Sequence, residues 1–298
     1  MGGAVRCNLC GGAVDRASCR VWSKDGHAIV RCPSCGLLFR AVLPSAGELR
    51  AIYADGYFSA AAGDTRGQGY LDYLGDESQH RATARRRLRL LAEHARSGPL
   101  LDVGCAAGFF LDEARRAGWP VRGVDVSSSM TRFGREALGL DLTAGRFGEQ
   151  ELPAGEFACV TMWDYIEHST DPAGDVAEAA RILRPGGVLA LSTGDAGSLV
   201  ARVSGRRWHL LTPRHHNFFF TARTLARLIE GAGLRVVRRG HPGARYSLRY
   251  LAHKARTLSD SALVRRAASA FDRRAAGRVA VPVNLWDILT VIAVKERA

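Results

Sequence analysis

The sequence predicts an α/β protein: a Rossmann-like, mostly parallel sheet, a small cysteine-bearing ribbon at its N-terminus, and a helical insertion before the last strand. Three observations lead there. Two Cys-x-x-Cys pairs stand within the first 43 residues, an apolar run ends in Asp102-Val103-Gly104 and passes through small residues into a helical pattern, and apolar runs then alternate with helical patterns as far as Lys295. The composition agrees. Of 298 residues, 47% are hydrophobic and 24% charged, a balance that excludes a disordered or fibrous chain. No apolar run reaches the ~18–20 residues of a membrane-crossing helix. The first residues lack the apolar core of a signal peptide, and Arg6 stands where a myristoylation signal has Ser or Thr. The expected location is cytoplasmic.

Residues 1–43 come first. Cys7-Asn-Leu-Cys10-Gly and Cys32-Pro-Ser-Cys35-Gly are separated by twenty-one residues. Each pair with its glycine makes a knuckle that aims two thiolates at one point, and two knuckles close a tetrahedral Zn²⁺ shell at ~2.3 Å. Between them, Val21, Trp22, Ile29 and Val30 flank the turn Lys24-Asp25-Gly26 and predict a hairpin. An odd total of seven cysteines argues against disulfides, and a redox motif needs one pair only. The segment therefore reads as a zinc ribbon. Four protein ligands leave no open position, so the metal is structural, replacing a core that so few residues cannot build. Cys19, Cys105 and Cys159 stand outside it, Cys159 in an apolar strand.

Residues 44–96 form a polar helical connector and substrate-side segment with Arg81, Arg85, Arg86, Arg87 and Arg89; Tyr53, Tyr57, Tyr70 and Tyr73 are candidate walls of an acceptor site or core residues. From residue 97 the sheet begins. Strand Leu100–Val103 leads through Gly104–Gly108 to a helix that stops at Gly118, and strand Val121–Val124 ends in Asp125, a strand–loop–helix–strand unit whose ligand belongs at the carboxyl ends of the strands. A dinucleotide fingerprint would require glycine where Phe109 stands. Strand Phe157–Trp163 precedes Asp164-Tyr165-Ile166-Glu167-His168-Ser169-Thr170-Asp171-Pro172, a helix to Arg184, then Leu183-Arg184-Pro185-Gly186-Gly187 and strand Val188–Thr193. Ile288–Lys295 closes the sheet.

Gly104 and Gly108 with Ala106 between them resemble motif I of the class I S-adenosylmethionine-dependent methyltransferases, and Asp125 resembles their ribose-binding acid. Glu167-His168-x-x-Asp171-Pro172 followed by Leu183-Arg184-Pro185-Gly186-Gly187 is characteristic of that superfamily. The resemblance runs from Leu100 to Arg239 and resumes at Ile288–Lys295. It implies a methyltransferase domain over 97–298 that holds S-adenosylmethionine among Asp102, Gly104, Cys105, Ala106, Gly108, Asp125, Val126, Met130, Arg146, Phe147 and Trp163. Asp125 would accept both ribose hydroxyls, and adenine would stack near Met130, Arg146 and Phe147, with Glu149 a substitute partner for its amine. Ala106 replaces the usual central glycine, and a negative φ is expected there. The ribbon ending Cys35-Gly-Leu-Leu-Phe39, with Tyr53, Tyr57 and Trp208…His216-Asn-Phe-Phe-Phe-Thr221, looks like bacterial methyltransferases of carbohydrate and natural-product pathways. Zinc-bearing sugar C-methyltransferases share that N-terminal module but are longer, which leaves the methylated atom open.

Candidate chemistry centres on Asp164, Glu167 and His168, at i, i+3 and i+4. On one helical turn they share a face. The resemblance implies His168 as catalytic base and Glu167 as the carboxylate that orients it and raises its basicity. The same trio could hold a divalent cation, as ubiquinone-pathway O-methyltransferases do at E-x-x-E-H, or be a structural turn. His216, next to His215 and ahead of Phe218-Phe219-Phe220, aligns with a recurrent family histidine and joins the candidate catalytic residues.

Net charge is +13, which favours anionic partners. The expected reaction is methyl transfer to a small anionic acceptor, a nucleotide sugar or a glycosylated natural-product or polysaccharide intermediate. The alternative is an RNA methyltransferase that grips nucleic acid with ribbon and basic surface. Against it, Trp163-Asp164-Tyr165-Ile166 is not the Asn/Asp-Pro-Pro-Tyr/Phe of base amino methylation, and the ribbon lacks aromatic–basic interleaving. Residues 244–280 read as a basic helical insertion, in which Leu248, Leu251, Ala252 and Ala255, then Leu263, Val264, Ala267, Ala268 and Phe271, recur at helical spacing among arginines. Its basic face is either solvated over the sheet edge or set against an anionic membrane.

Overall fold

The computed structural model describes residues 3–53, 58, 72–95, 98–248, 251–252, 261, 266 and 279–297. Strands β1 (Ala4–Arg6) and β2 (Ala13–Asp15) pair around the first knuckle, and β3 (Arg20–Lys24) and β4 (His27–Arg31) form the expected hairpin. The hairpin turns on Asp25 and Gly26, at φ 52° and 79°. Two left-handed residues are what a two-residue loop needs to match strand twist, and Asp-Gly supplies them at low strain. The knuckles share one backbone pattern. Cys7 accepts from Gly11 N–H at 2.8 Å and donates to Gly12 at 2.9 Å, while Cys32 accepts from Gly36 N–H at 2.9 Å and donates to Leu37 at 2.9 Å. β5 (Leu38–Arg40) pairs with β4 and begins the contact with the rest of the chain.

α1 (Ala46–Ile52) starts at a capping box in which Ser45 and Glu48 satisfy each other's backbone donors. α2 (Glu77–Ala92) carries the connector arginines, of which Arg81 binds Asp112 at 2.6 Å and Glu113 at 3.0 Å. Then come β6 (Leu100–Val103), α3 (Phe109–Arg116), β7 (Val121–Asp125), α4 (Ser128–Leu138), β8 (Leu142–Ala144), β9 (Phe157–Trp163), α5 (Pro172–Ile182), β10 (Leu183–Gly194), α6 (Leu199–Ser204), β11 (Phe218–Phe219), α7 (Ala222–Gly231) and β12 (Leu234–Gly240). Every residue of β6 and β9 is buried, as central strands covered on both faces must be. The expected helix to Arg184 ends at Ile182 instead. Pro185 disfavours helical backbone at Arg184, so Leu183 already pairs with Phe157 before a register shift leads to Val188.

β13 (Ala244–Ser247) and β14 (Ala280–Val283) pair with each other outside the main sheet, and β15 (Ile288–Lys295) returns antiparallel to both its neighbours. The seven-stranded order is β12-β15-β10-β9-β6-β7-β8, and β11 joins β5, β4 and β3 as the edge of the ribbon sheet. Ribbon and main sheet share one core, in which Val14, Val30, Leu37 and Phe39 pack with Val176, Phe218 and Leu225. Most of the basic helical insertion, including Lys254, Arg256 and Arg273, lies outside the described residues, as do Tyr57 and Tyr70. Among the described residues no helix is long and apolar enough to cross a membrane.

Candidate active site

The carboxyl ends of β6, β7 and β9 open into one cavity of about 1320 Å³. Its floor is the loop after β6. Gly104 takes φ 76°, and a Cβ there would come 2.8 Å from the Tyr165 ring, so the backbone passes where a side chain could not. Ala106 departs from expectation: its φ is 46°, left-handed despite its Cβ. Asp125 explains how that conformation persists, since its Oδ2 accepts from Ala106 N–H and its Oδ1 from Ser127 N–H, each at 2.8 Å. Burial raises the Asp125 carboxyl above its ordinary value, opposed by these two amides. Behind it Asp102 accepts from the Thr161 hydroxyl at 2.5 Å, and burial pushes it up to about 7.

Of the expected donor-binding residues, Asp102, Gly104, Cys105, Ala106, Asp125, Val126, Arg146, Phe147 and Trp163 line the cavity. Gly108 instead starts α3 at φ 81°, where a Cβ would lie 2.5 Å from Leu140. Met130 is buried with Phe58, Tyr73 and Phe109. Arg146 donates to the Thr170 hydroxyl at 3.1 Å and pairs with Glu149 at 3.4 Å. A close-passing backbone beside a buried carboxylate at the strand ends fits a nucleoside with a ribose diol, and so fits S-adenosylmethionine.

The opposite wall holds the candidate chemistry. Arg87 of α2 lies 4.6 Å over the Trp163 ring, 2.6 Å from Asp164 and 3.2 Å from the Ser192 hydroxyl. Asp164 takes φ 54°, and with Arg87 and Ser192 holding its carboxylate it does not join Glu167 and His168. The expectation of three residues on one face therefore fails at Asp164. In its place stands His216, whose ring is 4.7 Å from that of His168 and edge-on to it. Ligand atoms of Glu167, His168 and His216 lie within 4.8 Å of one another, a spacing a divalent cation could bridge.

Protonation also differs from expectation. His168 Nδ1 lies 3.0 Å from the His215 carbonyl and 2.7 Å from the Tyr53 hydroxyl. A carbonyl can only accept, so Nδ1 carries the proton and Nε2 the lone pair. Burial pushes His168 down to about 4, which keeps it neutral. Burial, then the Asp164 charge, lifts Glu167 to about 8, and its Oε2 has no hydrogen-bond partner among the described residues. Burial thus favours the neutral form of Glu167, and the groups that act on His168 are the His215 carbonyl and Asp164 rather than Glu167. Desolvation outweighs the attraction that adjacency suggests.

Sequence reasoning did not single out Arg87 for the site, nor Asn8 and Asn217, whose partners are 48 to 177 positions away in other elements. In the ribbon the four sulfurs of Cys7, Cys10, Cys32 and Cys35 lie within 4.8 Å of one another, with Cys7 and Cys32 buried. Four thiols converging on one point suit a tetrahedral thiophilic ion such as zinc.

Residues 76–239, more than half of the chain, match the family model described as a methyltransferase domain. The ubiquinone biosynthesis O-methyltransferase of Thiobacillus denitrificans is 34% identical over 150 residues, covering 45% of this chain and 63% of that protein. Its namesake in Aromatoleum aromaticum is 33% identical over 149 residues, with the same 45% and 63% coverage. The chain thus spans less than two thirds of the length of these curated relatives. Among solved structures, the YcgJ protein of Bacillus subtilis shares the fold with a TM-score of 0.51 at 16% identity, over 73% of this chain and 100% of that one.

Proposed function

The chain belongs to the class I S-adenosylmethionine-dependent methyltransferase family, and from that premise we propose that it methylates a hydroxyl of a small anionic acceptor with His168 as proton acceptor. One observation carries this reading: a single cavity is lined by both Asp125 and His168, so donor and acceptor can meet in one space. S-adenosylmethionine, when bound, supplies a methyl group on a positively charged sulfur. Asp125 receives the ribose hydroxyls, and the loop 104–106 passes beneath. The acceptor oxygen forms its bond to the methyl carbon as the carbon–sulfur bond breaks, and its proton goes to Nε2 of His168. A hydroxyl becomes much more acidic as it is methylated, so a weakly basic imidazole suffices.

Arg86, Arg87, Arg89 and Arg238 line the acceptor side and suit an anionic group. A nucleotide sugar or glycosylated intermediate would offer hydroxyls to His168 and phosphate to these arginines. A phenolic acceptor is the second reading. It is favoured by the aromatic walls at Tyr53 and Trp163 and by the name of the curated relatives. RNA is disfavoured because the ribbon side chains Asn8 and Arg40 engage the main domain. We assign structural zinc to the four cysteines, on the convergence of their sulfurs.

The test is label transfer from methyl-labelled S-adenosylmethionine to nucleotide sugars, catechols and RNA, repeated with His168→Gln. Label on a small hydroxyl acceptor, lost in the variant while donor affinity holds, supports the reading. Label on RNA refutes it, and turnover dependent on added Mg²⁺ would move His168 to a metal-binding role.

A further inference from the structure

Two side chains tie the ribbon to residues 167–173 of the methyltransferase domain, the loop that carries His168 together with the first two residues of α5. Asn217 is 1% exposed. Its backbone N–H donates to the Glu167 carbonyl at 2.7 Å, and its amide donates to the His168 and Ser169 carbonyls at 2.9 and 3.2 Å. On the ribbon side, its carbonyl accepts from Arg40 N–H at 2.8 Å and its Oδ1 from the Arg40 guanidinium at 3.2 Å. Arg40 ends β5, whose pairing with β11 sets Phe39 against Phe218 one residue further on. The second tie comes from inside a knuckle. Asn8, between Cys7 and Cys10, donates to Asp171 Oδ1 at 2.7 Å and accepts from Ala173 N–H at 2.8 Å. Asp171 in turn caps α5 through Gly174 N–H at 3.1 Å.

We propose that the ribbon is a clamp on loop 167–173, with Asn217 and Asn8 as positioning residues that hold His168 against the acceptor. The inference rests on the reading of His168 as the proton acceptor. Loops that follow strands are ordinarily among the more mobile parts of a domain. Here three successive carbonyls, at 167, 168 and 169, are bound by one asparagine, and the far end is pinned by the first knuckle. The ribbon therefore holds the segment at both ends, through Arg40 and Asn217 at one and Asn8 at the other. This accounts for Asn8 and Arg40 reaching across to the main domain. Such a device matters because misplacing a catalytic group by about 1 Å can cost on the order of 100-fold in rate.

The test uses the full chain and four variants. Asn8→Asp sets a carboxylate against Asp171, and combining it with Asp171→Asn again places a donor against an acceptor across the tie, at the expense of the α5 cap, since Asp171 Oδ1 serves both Asn8 and Gly174. Asn217→Ala removes the other tie, and His168→Gln controls for the functional reading. We expect Asn8→Asp and Asn217→Ala to lower kcat at least about tenfold. S-adenosylmethionine affinity should stay within about twofold by calorimetry, because the Asp125 side is untouched, and hydrogen exchange should rise across 167–173. The exchanged pair, which removes the carboxylate repulsion, should recover part of both kcat and exchange protection relative to Asn8→Asp. If His168→Gln loses turnover but neither asparagine variant does, the clamp is overturned while the functional reading stands. Donor affinity falling in step with kcat overturns it too, since the damage is then global. If His168→Gln keeps full turnover the functional reading fails, and unchanged exchange in Asn217→Ala then overturns the clamp independently.

Discussion

Replacing Asp102 with asparagine should stabilise the protein and weaken donor binding. Asp102 is 3% exposed, and burial, helped by the charges of Asp125 and Asp164, outweighs the Thr161 hydrogen bond and Arg87 to move it from 3.8 to about 7. The sign follows from which state holds the proton. Below 3.8 the carboxyl is neutral in both the folded and unfolded chain. Between 3.8 and about 7 the unfolded chain releases a proton that the folded one keeps, so stability falls by about 1.4 kcal/mol per pH unit, roughly 4 kcal/mol in all, and levels off above 7. Asparagine does not titrate, and its Oδ1 can accept the same Thr161 hydroxyl. Asp125, Asp164 and Arg87 are common to both proteins. The advantage of Asp102→Asn should therefore grow by roughly 2–3 kcal/mol between pH 5 and pH 7 and then stay level.

Urea unfolding of both proteins at pH 5, 6, 7 and 8 reads this directly, as a gap in midpoints that widens by about 1 M over that range. Calorimetry supplies the second half. A cationic sulfonium in the cavity favours the ionised carboxyl, so the affinity of the native protein should rise with pH through about 7, while that of Asp102→Asn should be lower and lack this step. A stability gap independent of pH would refute the argument, because Asp102 would then be ionised in the fold. A buried carboxyl retained against stability is the kind of local conflict expected at functional positions.

Asp125→Ala should weaken S-adenosylmethionine binding at least tenfold in calorimetry, since each charge-assisted hydrogen bond contributes ~1.5–3 kcal/mol; unchanged affinity would mean the ribose lies elsewhere. Elemental analysis should find close to one zinc per chain, and Cys32→Ser should unfold the ribbon; a stoichiometry near zero in freshly purified protein refutes the assignment. Ala106→Gly relieves about 1–2 kcal/mol of left-handed strain against about 0.4–1 kcal/mol of added unfolded-state entropy, so Tm should rise by about 1–3 °C. A fall would show that packing of the Ala106 methyl with Phe109 and Met130 outweighs the strain.

Much of the fold was legible because its signals are local. A strand covered on both faces reads as an unbroken apolar run, as Phe157–Trp163 does, and Asp25-Gly26 needs no distant partner to make a hairpin turn. What escaped sequence reasoning depends on distant partners. Nothing near Ala106 or Asp164 marks either as left-handed; Asp125, 19 positions away, holds the first, and Arg87, 77 positions away, binds the second. Adjacent Glu167 and His168 suggest an ion pair. Burial reverses that by keeping each neutral, and burial at a loop is set by what packs over it. The cysteine spacing announces two knuckles, yet the fourth strand of their sheet comes from Phe218–Phe219.

The same division separates the two halves of the cavity. The half proposed to hold the donor consists mainly of short segments directly after β6, β7 and β8, each fixed by the strand before it, so its residues could be read in order along the chain. The acceptor half draws Tyr53 from the end of α1, Arg87 from α2, His168 from the loop after β9 and His216 from the segment after α6. No strand fixes these four. Side-chain and carbonyl hydrogen bonds do, through Tyr53 on His168, the His215 carbonyl on the same ring, and Asn217 beneath it. Changes on the acceptor side should therefore alter turnover and acceptor choice while the Asp125 side goes on binding the donor. That separation allows one methyltransferase sheet to serve different acceptors by rebuilding the segments around His168.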